Sequence, residues 1–203
     1  TERGWGYAEG SQEEADAISE WGERQQAAMR SPGTGRFVVL QLNPFMGFAN
    51  RVFAIASATL LCMAVENTTS LVLEWPADGE RSRGHPNGEV SRMPPLDHLL
   101  DLPWALPLSS MPDSFFHDEP SWPFVSDEDP SFTQVLATGD FRSSFPNRVT
   151  IIYSVAGSFF GSRIASNPWS SGALARTGVS LAGLLRSIVS PSDEVVRSWE
   201  EQQ

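Results

Sequence analysis

An α/β fold built on a parallel sheet is the class this sequence predicts, and three observations predict it. The runs Phe37 to Leu42, Ser70 to Trp75 and Val149 to Ser154 are short, β-branched and apolar, the texture of strands buried on both faces. Asn50 to Glu66, between the first two runs, is an unbroken stretch of helix formers and apolar residues. Strand, loop, helix and strand thus follow within about 40 residues, the size of a right-handed βαβ unit. With 203 residues, 40% of them hydrophobic and 10% aromatic, the chain can form one body with a real core, or one lobe of a larger protein.

Taken in order, Glu13 to Met29 is polar and rich in Glu, Gln and Ala, and predicts a mostly exposed helix closed by the breaker Ser31-Pro32-Gly33-Thr34-Gly35. Residues 1–36 are therefore an N-terminal helical extension and turn, and the α/β body occupies residues 37–203. The first strand leads into the loop Asn43-Pro44-Phe45-Met46-Gly47-Phe48-Ala49 and then the long helix. Residues 77–95 are charged, Gly-bearing and without period, an exposed loop. Leu96 to Leu106 has helical spacing until Pro103 ends it. Residues 111–146 mix prolines with Phe115, Phe116, Trp122, Phe124 and Phe132, which predicts an irregular segment packed on the body. After the third strand, Asn167-Pro168-Trp169 signals a helix start, Leu181 to Val189 a helix, and Ser190-Pro191-Ser192 the start of a last one.

Composition excludes several classes. Arginine supplies all 14 basic side chains against 25 acidic ones, and a net charge of -11 is wrong for a nucleic-acid binder that lives on phosphate contacts. The lone Cys62, set among Leu60, Leu61 and Met63, rules out an internal disulfide framework and reads as core. Val52 to Val65 falls short of the about 20 apolar residues of a bilayer span. The chain opens on Thr1 with no signal or anchor of its own, which leaves room for a membrane anchor upstream.

Gly47, Asn50 and Arg51 form the most informative spot, because a Gly-bearing loop leaving a buried strand and entering a helix is where α/β proteins place ligands. Gly47 would let the backbone turn and approach a ligand, while Asn50, Arg51 and loop amides would meet a phosphate or a sugar hydroxyl. Against this stands a plainer reading, in which Arg51 pairs with a carboxylate and Asn50 caps the helix. The loop lacks G-x-G-x-x-G and any lysine, so it is not a standard dinucleotide or ATP loop. Asp127-Glu128-Asp129 has the D-x-D spacing of a divalent-metal site, but solvated charge accounts for it as well. His85, His98 and His117 have no partner at metal-ligand spacing, so no metal is expected. Asn67-Thr68-Thr69 is an N-glycosylation acceptor pattern, of a kind that chance also produces.

The order Phe37-Val38-Val39-Leu40, Gly47-Phe48-Ala49-Asn50-Arg51, the Ala-rich helix and Leu71-Val72-Leu73 resembles the first βαβ unit of GDP-fucose-dependent fucosyltransferases, above all the plant xyloglucan fucosyltransferase type, whose loop reads G-[LFY]-G-N-R. Trp21 to Arg30 with Ser31-Pro32-Gly33-Thr34-Gly35 is similar to that family's helix and P-G-T turn. Asn167-Pro168-Trp169 resembles its N-P signature, and Leu184 to Val195 its L-L-R-x-L-x-x-P-S-x-E-V segment. Ala49 stands in place of the second loop glycine, the cysteine before the turn is missing, and residues 77–95 look like an insertion.

The resemblance implies a Rossmann-like parallel sheet with flanking helices, the N-terminal, acceptor-side lobe of a GT-B glycosyltransferase. The donor-binding lobe, which opens with an H-x-R motif, would begin just past Gln203. It further implies transfer of fucose from GDP-fucose to a glycan hydroxyl, without a metal or other cofactor, in the Golgi or secretory lumen. Gly47, Asn50 and Arg51 would help orient the donor, no catalytic base can be named, and this chain alone would be inactive. The alternative is a non-catalytic carbohydrate- or protein-binding domain on the same scaffold, motivated by the aromatics of residues 115–132.

Overall fold

The computed structural model describes residues 12–32, 35–65, 69–81, 90–102, 104–116, 123–155, 160–189 and 197. Five parallel strands form one sheet in the order β3-β2-β1-β5-β4: β1 (Arg36–Leu42), β2 (Thr69–Glu74), β3 (Leu106–Pro107), β4 (Phe124–Ser126) and β5 (Val149–Ser154). The helices are α1 (Gln12–Arg30), α2 (Phe48–Val65), α3 (Leu96–Leu99), α4 (Pro130–Thr138), α5 (Phe141–Ser144), α6 (Gly161–Ser166), α7 (Pro168–Thr177) and α8 (Leu181–Ile188). The three strands expected from the apolar runs are all present, and the sheet is parallel throughout.

The two faces of the sheet are covered differently. Val38, Leu40, Leu42, Leu71, Leu73 and Ile152 point to a helical layer in which α2 packs on α6, α7 and α8. The helix α2, which by length and composition alone could cross a membrane, is the centre of this core; 78% of it is buried. Its two hydroxyls fold back on the helix, Ser57 to Phe53 O and Thr59 to Ile55 O, which lets them sit in apolar surroundings. The opposite face, Phe37, Val39, Val72 and Val149, is sealed by Leu108, Met111 and Phe115, with Ala28 and Met29 of α1. Among the described residues no helical layer covers this second face.

Three sequence expectations change. The first helix is not mostly exposed: Ile18 and Trp21 are buried, and Trp21 meets Trp104 edge to face with ring centroids 5.3 Å apart. Gln25 turns its carboxamide to Leu71, accepting from its N–H at 2.7 Å and donating to its carbonyl at 3.2 Å, so a side chain takes the place of a strand partner where β3 is too short. Glu14 accepts from Ser180 N and Oγ and from Arg186, tying α1 to the start of α8. A Cβ on Gly183 would fall 2.0 Å from that carboxylate, so the approach needs glycine.

Residues 111–146 are not irregular throughout, for β4, α4 and α5 lie within them. Pro130 occupies the first turn of α4, where its missing N–H costs nothing, and Asp129 caps that helix. The helix expected from Leu96 shrinks to the single turn of α3, and β3 follows. The segment 77–95 is, where described, the mostly exposed loop expected, pinned to itself by Gly79 N to Ser91 O and Ser91 N to Glu80 O and to the body through the fully buried Ser91, whose Oγ accepts from Arg51. Residues 82–89 of that segment lie outside the described ones, as do Asn67, His85, His117, Trp122 and the turn residues Gly33 and Thr34.

Candidate functional site

β1 lies mid-sheet between β2 and β5, and in an open α/β sheet ligands bind beyond the C-terminal ends of the strands. Here β1 runs into the loop of residues 43–47 and then α2, while β5 ends at Ser154 beside it, with Asn43 N donating to Ser154 O at 3.0 Å. Asn43 starts the loop with an Asx turn, its side-chain oxygen accepting from Phe45 N at 2.9 Å. The crest is exposed: Phe45 is 55% and Phe48 37% accessible, and Gly47, Ala49 and Asn50 are exposed with them. No acid lies in the first turn of α2, so the positive end of its dipole faces outward undiminished.

Arg51 lies beneath this crest with no accessible surface. Its Nε donates to Met46 O at 3.0 Å, Nη1 to Pro76 O at 3.0 Å, and Nη2 to Pro44 O and Ser91 Oγ, each at 3.1 Å. The guanidinium also lies over the Trp75 ring, 4.6 Å from its centroid. Burial pulls its pKa down to about 10, still charged at neutral pH. Arg51 therefore clamps the β1–α2 loop to the segments that follow β2. The plainer reading of the sequence is corrected on both counts. Three carbonyls and a hydroxyl hold the Arg51 guanidinium, in the place expected for a carboxylate. The helix α2 begins at Phe48, so Asn50 stands inside its first turn rather than at the cap.

Gly47 carries a different lesson. Its backbone is not in the left-handed region, and a Cβ there would meet nothing within 4 Å. Neither turn geometry nor packing within the chain requires glycine, and the space beside it opens outward.

The acids of Asp127-Glu128-Asp129 do not converge. Asp127, buried, accepts from Ser154 Oγ at 2.6 Å and Val155 N at 2.9 Å, joining the ends of β4 and β5. Asp129 accepts from Ser131 N and Oγ, both at 2.8 Å, and these bonds lower its pKa. Among the described residues no group of three His, Cys, Asp or Glu could hold a metal ion. His98 is exposed, and Cys62 is fully buried, its thiol pKa pushed up by desolvation.

Two features escaped the sequence reading. Cross-strand register places Glu74, Gln41, Tyr153 and Ser126 in one row at the C-terminal end of the second face. Burial, then the charges of Glu74 and Asp127, raise the Tyr153 pKa, and Phe124 stacks on its ring 5.9 Å away. The second is a cleft of about 1080 Å³ past the ends of β2 and β3, walled by Glu74, Trp75 and α3. Gln41 and Glu74, each the polar next-to-last residue of an apolar run, were the available signal for the row; nothing local announced the cleft. Of the aromatics at 115–132, Phe115 and Phe132 are core and Phe124 is 52% exposed.

No family model matches this sequence, and no curated protein matches it. Among solved structures, the fold matches that of a mutant of FUT1 from Arabidopsis thaliana in complex with GDP, with a TM-score of 0.54 and 15% identity, over 94% of this chain and 50% of that one. The fold is fucosyltransferase-like. The chain spans about half the length of that structure. In this fucosyltransferase-like frame Asn167 shows why an Asn-Pro pair stands after the third long strand. Fully buried, it caps α7 through Trp169 N and donates to Leu136 O and Gly139 O, both at 3.0 Å, so it holds the start of one helix against the end of another.

Proposed function

We propose that this chain is the acceptor-side lobe of a glycosyltransferase that moves fucose from GDP-fucose to a glycan hydroxyl. The observation that carries the reading is the fold shared with a GDP-bound structure, with an exposed helix N-terminus beyond the C-terminal end of β1. Gly47 and Asn50 lie on the open side of that crest and would meet the donor, the glycine by admitting it closely and the asparagine by a side-chain hydrogen bond. Arg51 would act from below, holding the loop carbonyls so that the first-turn amides of α2 keep their direction. Transfer needs a base near the acceptor hydroxyl and positive charge near the departing diphosphate. The buried Arg51 charge and the α2 dipole would supply part of the second. The reading makes the donor a nucleotide sugar, needs no metal, and places the protein in the Golgi or secretory lumen, held by an anchor outside this chain.

The test is GDP release from GDP-fucose by protein made from the whole coding sequence. Release should require a glycan acceptor, survive chelation of divalent ions, and fall at least about tenfold in Asn50→Ala, a loss of about 1.4 kcal/mol. Absence of release from GDP-fucose and other nucleotide sugars, or release indifferent to Asn50, would refute it.

A further inference from the structure

Charge is segregated along this chain. From Pro130 to Ser192 the single acid is Asp140, while Arg142, Arg148, Arg163, Arg176 and Arg186 fall in the same stretch; all the other acids behind the net charge of -11 lie outside it. Two of those arginines are engaged within the body, Arg148 by Pro32 O and Phe115 O and Arg186 by Glu14. Arg163 and Arg176 instead stand exposed on the outer surface of α6 and α7, with Arg163 reaching Thr133 Oγ1 of α4 at 3.1 Å. Trp169 shares that surface, 65% exposed, on the same side of α7 as Gly172 and Arg176 by helical spacing. Gly172 keeps the space between them open, for a Cβ there would meet only Arg176 Nη1, at 3.8 Å. Beside this stripe a hollow of about 300 Å³ opens between α6, α7 and the start of α8, lined by Leu60, Leu174, Val179 and Leu181. Asp140, partly buried, follows the end of α4 at the border of the face.

We propose that the outer face of α6 and α7 rests on a lipid bilayer with anionic headgroups. Arg163 and Arg176 meet the phosphates, and the Trp169 ring enters the boundary between headgroups and acyl chains, where an aromatic ring with a polar N–H is favoured. Three features together select this partner: arginines without neighbouring acids on their helices, an exposed tryptophan, and an apolar hollow between them and α8. A nucleic acid brings phosphates and no hydrocarbon for the hollow. An acidic protein would need an apolar knob matched to a hollow of this size, whereas a bilayer supplies phosphate and hydrocarbon over the whole contact and needs no matched shape. The acidic remainder of the chain is repelled by the same headgroups, so attraction at one face and repulsion elsewhere fix which side lies down. Two arginines and one ring give weak, reversible contact. The inference is independent of the transferase reading: it uses none of the residues placed beside the donor and needs no nucleotide.

The experiment is flotation of the 203-residue chain with vesicles of phosphatidylcholine alone, and with vesicles of an equal mixture of phosphatidylcholine and phosphatidylglycerol, at low salt. The chain should float with the mixed vesicles and stay behind with the neutral ones, and added salt should release it. Arg163→Gln with Arg176→Gln should lower partitioning at least about tenfold. Arg30→Gln with Arg92→Gln removes the same charge at exposed positions elsewhere and should change partitioning less than about twofold. All four side chains are exposed, so both double variants should keep the parent's circular dichroism. Brominated acyl chains should quench the tryptophan emission of the parent more than that of Trp169→Phe. No flotation with mixed vesicles, equal losses in the two double variants, or quenching unchanged in Trp169→Phe would each overturn the proposal. Retention on polyglutamate or DNA without flotation would overturn the bilayer as the occupant of this face.

Discussion

Replacing Arg51 with lysine keeps the charge and removes the fork. In the structure three guanidinium nitrogens make four hydrogen bonds to groups from three segments, at 3.0–3.1 Å, and the plane lies over Trp75. One ammonium can reach about one of those groups, so three acceptors lose their donor at about 1–3 kcal/mol each if they stay dry. Water entry and easier solvation of the ammonium offset part of this, and breaking a buried charged arrangement costs about 3–5 kcal/mol in net. For a domain of this size about 3 °C of melting temperature follows each kcal/mol, so Arg51→Lys should melt about 10 °C lower by circular dichroism. Hydrogen exchange should place the loosening at Gly79, Glu80 and Ser91, whose backbone pairing sits on the clamp, while β5 and α7 stay protected. A variant that melts within about 2 °C of the parent would refute the clamp. So would one of parental stability that has lost only donor binding, since the guanidinium would then serve the ligand rather than the loop.

Gly47→Ala should leave the melting temperature within about 2 °C, because a Cβ there meets nothing, while donor affinity in the whole protein falls; a large loss of stability would show that the chain itself needs the glycine. Asn167→Ala removes a helix cap and two buried carbonyl partners together and should cost about 3 kcal/mol in urea unfolding, with a change below about 1 kcal/mol refuting that role. Glu14 has its pKa lowered below 4.5, first by the Ser180 hydroxyl and also by Arg186, so its contribution is present above 4.5 and lost as pH falls through the folded value. The stability gap between the parent and Glu14→Gln should therefore be full at neutral pH and close in acid; a gap independent of pH would show that the carboxylate charge is immaterial. Cys62 should resist alkylation in the native protein and react on unfolding, and rapid native reaction would contradict its burial.

The strands and the main helix were legible because their burial is total. β1, β2 and β5 lie at the centre of a parallel sheet, where both faces exclude water and the apolar run is continuous, and α2 is apolar on all sides for the same reason. Asn167-Pro168 was legible because capping is local chemistry. β4 and α4 were not, since three residues at a sheet edge leave no periodicity and Pro130 reads as a breaker until Asp129 shows it starting a helix.

The site divides along the same line. That a loop leads from a buried strand into the core helix, with Gly47, Asn50 and Arg51 gathered at the junction, followed from residue order alone, for the three are neighbours on the chain. Which way each side chain turns did not follow, because the partners of Arg51 include Pro76 and Ser91, far along the chain, and their carbonyl and hydroxyl draw the guanidinium inward. Gln41 and Glu74 likewise stand in one row only because β1 and β2 pair in that register. Sequence by itself determined what local hydrogen bonding and continuous burial dictate, the parallel sheet, its core helix and the loop that leaves its central strand. Tertiary structure alone decided the clamp, the polar row and the cleft, since each joins groups that only the closed sheet brings within reach.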